Sequence, residues 1–482
     1  MLLMLARSLS AILLVSFRLA AQPHDLAIND VRVIDPERMT SRVESVGVRA
    51  GKIAVLSAVP LKANRVIDGR GLVLAPGFID LHAHGQDEEN QRLQVQDGVT
   101  TALELEIGAG DVAGWYAARE GKRFIHSGVS VGHVPLRMKL MGDPSRSLVP
   151  SGVAKDRAAT EEEITRLRAG VERGLIEGAL GIGFGIQYTP GASRWEILET
   201  FRAGARFGAP AFVHIRTMGV PEDVSRDALT GLQEILAASA VTGMPVHMVH
   251  VTSSGMGQAA RLIQTVREAK ARGVDASTEC YPYGAAMTDI ASAIFDAEWQ
   301  KILGIGYGDL EWVATNERLT GESFAHYRKL GGMVIMHMIP EAATVACLSA
   351  PDVMIASDGH IENGKGHPRG AGTFARSLGY WTRERKVMTL EQAVRKMTLL
   401  PAQRLEKFVP EMAQKGRVRV GADADLAVFD AAAVRDRATF GNPAVASDGF
   451  RYVVVGGVVV VDEGKLREDV RPGKAVRAAR RQ

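Results

Sequence analysis

His82 and His84 stand one residue apart at the end of an apolar run, in APGFIDLHAHGQ (75–86). In an extended strand residues i and i+2 share a face, so the two imidazoles project together. Two imidazoles so placed suit a borderline-soft divalent metal such as zinc. More candidate ligands follow at the ends of later apolar runs. GVTTALELEIG (98–108) carries Glu104 and Glu106 on one face of an otherwise apolar segment, and a buried carboxylate needs a cation or a metal to be tolerated. Of the two, Glu106 lies nearer the C-terminal end of the run and is the preferred ligand. FVHIRTMG (212–219) supplies His214, with Arg216 two residues on, and VHMVHVTSSG (246–255) supplies His247 and His250. That second pair, three apart, falls on opposite strand faces, and His250, nearer the end, is the one chosen. In MIASDGHIENGKGHPRGAGTF (354–374), Asp358 opens a Gly-rich loop directly after a strand. A carboxylate there can be both metal ligand and general base towards a water activated by the metal. Arg369 in the same loop could clamp a substrate carboxylate through two parallel hydrogen bonds.

The elements that must bring these side chains together read as an α/β architecture. β-rich runs are expected at Thr100–Ile107, Ala211–Ile215, Val246–Val251, Met333–Met338 and Val353–Ala356, with helical stretches between them. In 160–179, Thr160 and Glu163 form a capping box, and Ile164, Leu167 and Val171 line one face. Residues 229–243 and 389–405 read as further helices, the latter with Thr389 and Gln392 as a second capping box. Several such units in about 330 residues point to a (β/α)8 TIM-like barrel, whose chemistry sits where the strands end. Both chain ends have a different texture. Alternating β runs broken by Asp-Pro, Asp-Gly and Gly-Gly turns occupy 25–74 and return at 417–430 and 450–465. The economical division is a small β-sandwich domain made of an antiparallel sheet from 22–75 and 415–482, with the barrel, 76–414, inserted into it.

Bulk properties narrow the classes. With 46% hydrophobic and 23% charged residues and a net charge of +3, the 482-residue chain reads as an ordinary globular protein. Its basic residues are scattered apart from the tail 471–481, so no nucleic-acid partner is indicated, and a small-molecule substrate is expected. Residues 1–21, MLLMLARSLSAILLVSFRLAA, have the pattern of a secretory signal, too short in its apolar run to span a bilayer. A periplasmic or secreted location follows from it, a cytoplasmic one otherwise. The two cysteines, Cys280 and Cys347, lack C-x-x-C spacing, so no disulfide framework is indicated, and a single bridge between them stays open without support. Oligomeric state has no signal.

In order and along the whole barrel, His82-x-His84 after PGFID, His214, His250 and Asp358 resemble the metal-dependent amidohydrolase superfamily. The most similar group in it is that of the D-aminoacylases (N-acyl-D-amino-acid deacylases), through SVGHVPLRMKLMG (130–142), GALGIGFGIQYTPGA (178–192), TECYPYGAAMT (278–288) and SDGHIENGKGHPRGAGTFAR (357–376). The resemblance implies one or two zinc ions. His82 and His84 would hold one position and His214 and His250 the other, with Asp358 as ligand and proton shuttle. It also implies that Tyr188, Tyr283 and Arg369 contact substrate, with Arg216 assisting, and that linear N-acyl amides of D-amino acids are hydrolysed. For the oxyanion, His133, Tyr283 and the metal remain open. This chain departs from the group twice. Ile107, beside Glu106, stands where those enzymes place a cysteine ligand, which favours a harder, two-metal site. Thr252 replaces a lysine, which leaves Arg369 as the main cation for an acidic end. Rival readings are a dipeptidase or cyclic-amide hydrolase, against which no strand lysine supplies a carboxylated bridge, and a non-catalytic metal-binding barrel.

Overall fold

The computed structural model describes residues 24–219 and 227–479; the candidate signal segment 1–21 lies outside them. The β-rich runs at the two ends form one nine-stranded sheet. Its N-terminal strands are His24–Asp35, Thr40–Arg49, Lys52–Ser57, Ala63–Asp68 and Val73–Pro76. Its C-terminal ones are Leu426–Phe429, Phe450–Val455, Val458–Asp462 and Lys465–Leu466. The two sets join where Val73–Pro76 pairs antiparallel with Leu426–Phe429. Gly456 and Gly457, both at positive φ (54° and 84°), make the hairpin turn that only such backbone angles allow. The sheet is not antiparallel throughout. A register shift between Ile28 and Val31 splits the first strand, which then pairs parallel with both Ala63–Asp68 and Val73–Pro76. Alternate residues (Leu26, Ile28, Val46, Leu74, Leu426, Val454) fill a core of its own.

The middle of the chain forms an eight-stranded parallel sheet, running in order from Phe78–Asp80 through Val99–Ala109, His126–Gly132, Ile182–Gly185, Ala211–His214, Val246–Met248 and Ala276–Cys280 to Met354–Ile355. The last strand returns to the first: Asp358 N donates to His82 O at 2.7 Å, and His84 N and Gly85 N donate to Gly359 O at 3.0 Å. This nearly closed barrel brings the C-terminal strand ends into one ring. Helix Glu161–Ile176 carries the expected capping box and buries Ile164, Leu167, Val171 and Leu175. The stretch 389–405 is two helices, Leu390–Met397 and Leu399–Glu406, because Thr398 leaves the helical region (φ −133°, ψ −73°). Pro401 then falls in the first turn of the second helix, where a missing N–H has no cost.

One expectation is corrected, and one open alternative is decided. Met333–Met336 is a strand, but not of the barrel: it pairs antiparallel with Ala286–Asp289 and Leu310–Trp312. Periodicity finds a strand without saying which sheet it joins. This small sheet packs on Trp299, Trp312, Phe295 and Phe324 and leans over the ring of strand ends. The cysteines are also paired: Cys280, the last residue of the seventh barrel strand, is bonded to Cys347 of helix Glu341–Ser349, with Cα atoms 6.6 Å apart. Sequence spacing carries no trace of this pairing, because the helix returns to the strand 67 residues later. Barrel and sheet are fastened by a buried ion cluster. Asp425, at the start of a sheet strand, lies 3.0 Å from His126 Nε2 of the barrel and 2.7 Å from Lys415 Nζ, and accepts from Gly456 N at 2.7 Å. Among the described residues no helix is long and apolar enough to cross a membrane.

Candidate metal centre

The site begins with a buried knot. Asp80 Oδ1 accepts from His82 N at 3.1 Å and from Ser357 N at 3.0 Å, while the Ser357 hydroxyl donates to His82 O at 3.2 Å. Burial pushes the Asp80 carboxyl up to about 6 against these donors. The knot locks the end of the first strand to the loop after the last, and so fixes His82, His84 and Asp358 relative to one another. Asp358 itself sits at φ 52°, and His250 at φ 30°. Both are left-handed backbone angles that cost a non-glycine residue roughly 1–2 kcal/mol, and such strain concentrates at functional sites. At His250 the left-handed turn ends the strand, and a short helix, Val251–Gly255, follows at once. The strand therefore stops three residues before the expected Val251.

Two donor sets result. His82 Nε2 and His84 Nε2 are 3.1 Å apart, and Asp358 Oδ1 lies 3.4 Å from the first and 3.3 Å from the second. Glu106 reaches into this set and into the next. Its Oε2 is 3.1 Å from both His82 Nε2 and His84 Nε2, and its Oε1 is 2.8 Å from His214 Nδ1 and 3.4 Å from His250 Nε2. Ligands bound at 2.0–2.2 Å around a tetrahedral ion stand about 3.3–3.6 Å apart. The triad His82/His84/Asp358, at 3.1–3.4 Å, is close to that spacing, and in Glu106/His214/His250 the Glu106–His214 pair at 2.8 Å is tighter and would open slightly around a divalent cation. The electrostatics agree. Burial opposes a charge on His82, yet Asp358 and Glu106 outweigh it and hold the imidazole up at about 10. Burial likewise raises Glu106, but His82 and His214 take it well below its usual range. Such a cavity draws positive charge.

Each of the four imidazoles is held through its other nitrogen. His82 Nδ1 pairs with Glu279 at 2.8 Å, His84 Nδ1 with Glu104 at 2.8 Å, His214 Nε2 with Gln187 Oε1 at 2.6 Å and His250 Nδ1 with Ser254 Oγ at 3.1 Å. Partners of this kind fix the tautomer and aim the free lone pair at the metal. The strand face separates the paired candidates as expected. His247 points away, with Nδ1 on Ser277 Oγ at 2.8 Å and Nε2 3.2 Å from Glu279. Glu104 lies behind His84. Glu279, Gln187 and Ser254 carry no signal of their own in the sequence, although Gln187 and Glu279 lie inside GIQYTPG and TECYPYG.

The donor sets open into a cavity of ≈320 Å³, walled by Ile107, Tyr188, Met218, Tyr281, Met287 and Met336 among others. Arg369 is buried in its wall, its Nη2 2.9 Å from Asp358 Oδ2 and its plane 4.5 Å from the Tyr281 ring; its Nε and Nη1 have no partner. Burial pushes the Asp358 carboxyl up, but the Arg369 guanidinium and His82 hold it well below the usual carboxylate range. Tyr188 packs on the His214 ring at 4.7 Å, and its hydroxyl accepts from Thr288 at 3.3 Å. Burial and the Glu106 charge push it well above its ordinary value, so it stays a donor.

Three candidates are not brought to this cavity. His133 is the first residue of helix His133–Met141 and is fully buried behind the barrel wall, its Nε2 2.8 Å from Glu196 and its ring on Phe184. Arg216 lies past the end of its strand at His214, so the two-residue alternation does not carry it inward. Its Nε and Nη2 each donate to Glu234 at 2.7 Å. Tyr283 lies behind the Arg369 loop, with its hydroxyl 3.5 Å from Pro368 O and Arg376 over its ring. Thr252 is buried off the cavity wall. Among the described residues the cations on that wall are Arg146 and Arg369, and none is a lysine.

Against known proteins, residues 140–461 match a model described as the amidohydrolase family. An N-acyl-D-glutamate deacylase of Alcaligenes xylosoxydans xylosoxydans is 30% identical over 94% of this chain and 96% of its own length. A D-aminoacylase of the same organism is 30% identical over 92% and 96%. A solved N-acyl-D-glutamate deacylase from Bordetella bronchiseptica, complexed with zinc and a phosphonate mimic of the tetrahedral intermediate, superposes with a TM-score of 0.79 at 26% identity, covering 95% of this chain and 100% of that one.

Proposed function

The chain belongs to the amidohydrolase family, and from that premise we propose that it hydrolyses the linear amide of N-acyl-D-amino acids. The observation that carries the reading is the position of Asp358. One of its oxygens is 3.3–3.4 Å from two imidazole nitrogens of a donor triad, and the other is 2.9 Å from a buried arginine. The acid–base group, the metal donors and a carboxylate receptor thus share one cavity. His82, His84 and Asp358 would hold one ion and Glu106, His214 and His250 the other. Bound there, zinc supplies Lewis-acid polarisation of the scissile carbonyl and makes a water acidic enough to react near neutral pH.

The chain's own residues do the rest. Arg369, in the cavity wall, offers its guanidinium to the substrate carboxylate and sets the amide over the donor triads. Asp358 takes the proton of the attacking water and hands it to the departing nitrogen, so that a neutral amine leaves. Tyr188, whose hydroxyl proton is not used towards Thr288, donates to the developing oxyanion. Met218, Met287 and Met336 exclude bulk water from this exchange. The D preference rests on the relatives, which are named as D-amino-acid deacylases. The cystine Cys280–Cys347 supports an oxidising compartment, and with the 1–21 segment we read the protein as exported.

Asp358→Asn is the test. Assayed in excess zinc so that both positions stay filled, amino-acid release should fall about 10³-fold, in the range expected for a lost general base. Turnover near wild type would remove Asp358 from the role of proton carrier.

A further inference from the structure

The two donor triads are alike in the residues that face the ions and unlike in what stands behind them. Behind His82 and His84 are two carboxylates, Glu279 and Glu104, each at 2.8 Å. Behind His214 and His250 are two neutral groups, the Gln187 amide at 2.6 Å and the Ser254 hydroxyl at 3.1 Å. Glu279, Glu104 and Ser254 are buried, so solvent does little to screen the difference. A carboxylate behind an imidazole raises its strength as a donor, and an amide or hydroxyl does so far less. Formal charge runs the same way. Glu106 is common to both positions. The first position adds Asp358, Glu279 and Glu104, offset in part by Arg369 on Asp358 and by Arg119 near Glu104, whereas no carboxylate backs the two imidazoles of the second among the described residues. No thiolate strengthens the second position, since Ile107 stands beside Glu106 and both cysteines of the chain are in the disulfide.

Resting on the reading of the cavity as a two-ion hydrolytic centre, we propose that the two positions fill in a fixed order. The first divalent ion goes to His82/His84/Asp358 and is held tightly. The second goes to Glu106/His214/His250 and exchanges readily. Glu279 and Glu104 are the positioning residues that set this order.

The test uses metal-free full-length protein and the metal alone. Crystals grown with one equivalent of zinc should show anomalous density among His82, His84 and Asp358. Density among Glu106, His214 and His250, or equal density at both, would overturn the proposal. In solution, cobalt(II) absorbance against a competing chelator should show two steps. Glu279→Gln and, separately, Glu104→Gln should weaken the first by 10–100-fold, so the test survives if either variant fails to fold. Ser254→Ala should weaken only the second. A first step untouched by both glutamate variants would overturn the assignment. Two ions bound in the reverse order would sink this inference and leave the catalytic reading standing; a folded protein that binds no metal would sink both.

Discussion

Arg369→Lys probes how the cavity recognises the acid end of a substrate. In the free protein Arg369 spends one nitrogen on Asp358 at 2.9 Å and keeps Nε and Nη1 unpaired in a wall that is 1% exposed at this residue. Leaving two buried donors unmatched is costly, unless a ligand completes them. A substrate carboxylate would meet the guanidinium along one edge, where two nitrogens present parallel N–H groups in a planar geometry that a lysine lacks. Each charge-assisted bond contributes about 1.5–3 kcal/mol. A lysine at 369 retains the charge but can replace only one of them, so kcat/KM should fall by about 10–100-fold. Arg369→Met, which loses both, should fall by about 10²–10⁴-fold. The assay compares an N-acyl-amino acid with its carboxamide, which lacks the negative charge. Wild type should prefer the acid, and in Arg369→Met that preference should collapse, because both substrates lose the effect of Arg369 on Asp358 but only the acid also loses its clamp. If both substrates lose activity equally, Arg369 acts on Asp358 or on the fold and not as a clamp, and the reasoning is refuted.

Two further expectations concern what holds the site in place. Asp425→Ala leaves Lys415, 5% exposed, and the buried His126 without their shared carboxylate; breaking a buried pair in this way costs about 3–5 kcal/mol. Denaturant melting should show that loss, and a shift under about 1 kcal/mol would mean that the cluster does not fasten barrel to sheet. The Cys280–Cys347 bridge closes a loop of 67 residues, worth about 4 kcal/mol of chain entropy. A Cys280→Ser, Cys347→Ser protein should therefore melt at lower denaturant concentration than wild type. Equal midpoints would show the bridge to be absent or without effect.

The residues that the structure gathers into the two donor sets were legible because their signals are local. His82-x-His84 needs only strand alternation, and His214, His250 and Asp358 need only the rule that barrel chemistry sits at strand ends. The choices of Glu106 over Glu104 and of His250 over His247 came from position along a strand, and the structure puts the chosen member of each pair at the donor sets and the other behind them. Three barrel strands left weaker marks. HSGVSVG (126–132), IGFG (182–185) and ASTEC (276–280) are short and rich in Gly, Ser or charge. They are strands because neighbours on both sides complete their hydrogen bonds, a tertiary cause that propensity does not record. The same limit hid Glu279 and Gln187, whose importance lies in what they touch across the barrel. It also misplaced His133, since a histidine opening a helix looks the same in sequence whether it faces the cavity or Glu196.

The most direct test of the account is amino-acid release from matched N-acetyl-D and N-acetyl-L substrates by the zinc-loaded protein. The account expects hydrolysis of the D series, abolished by chelation and restored by zinc. Hydrolysis of the L series alone, or of neither with both ions bound, would contradict it.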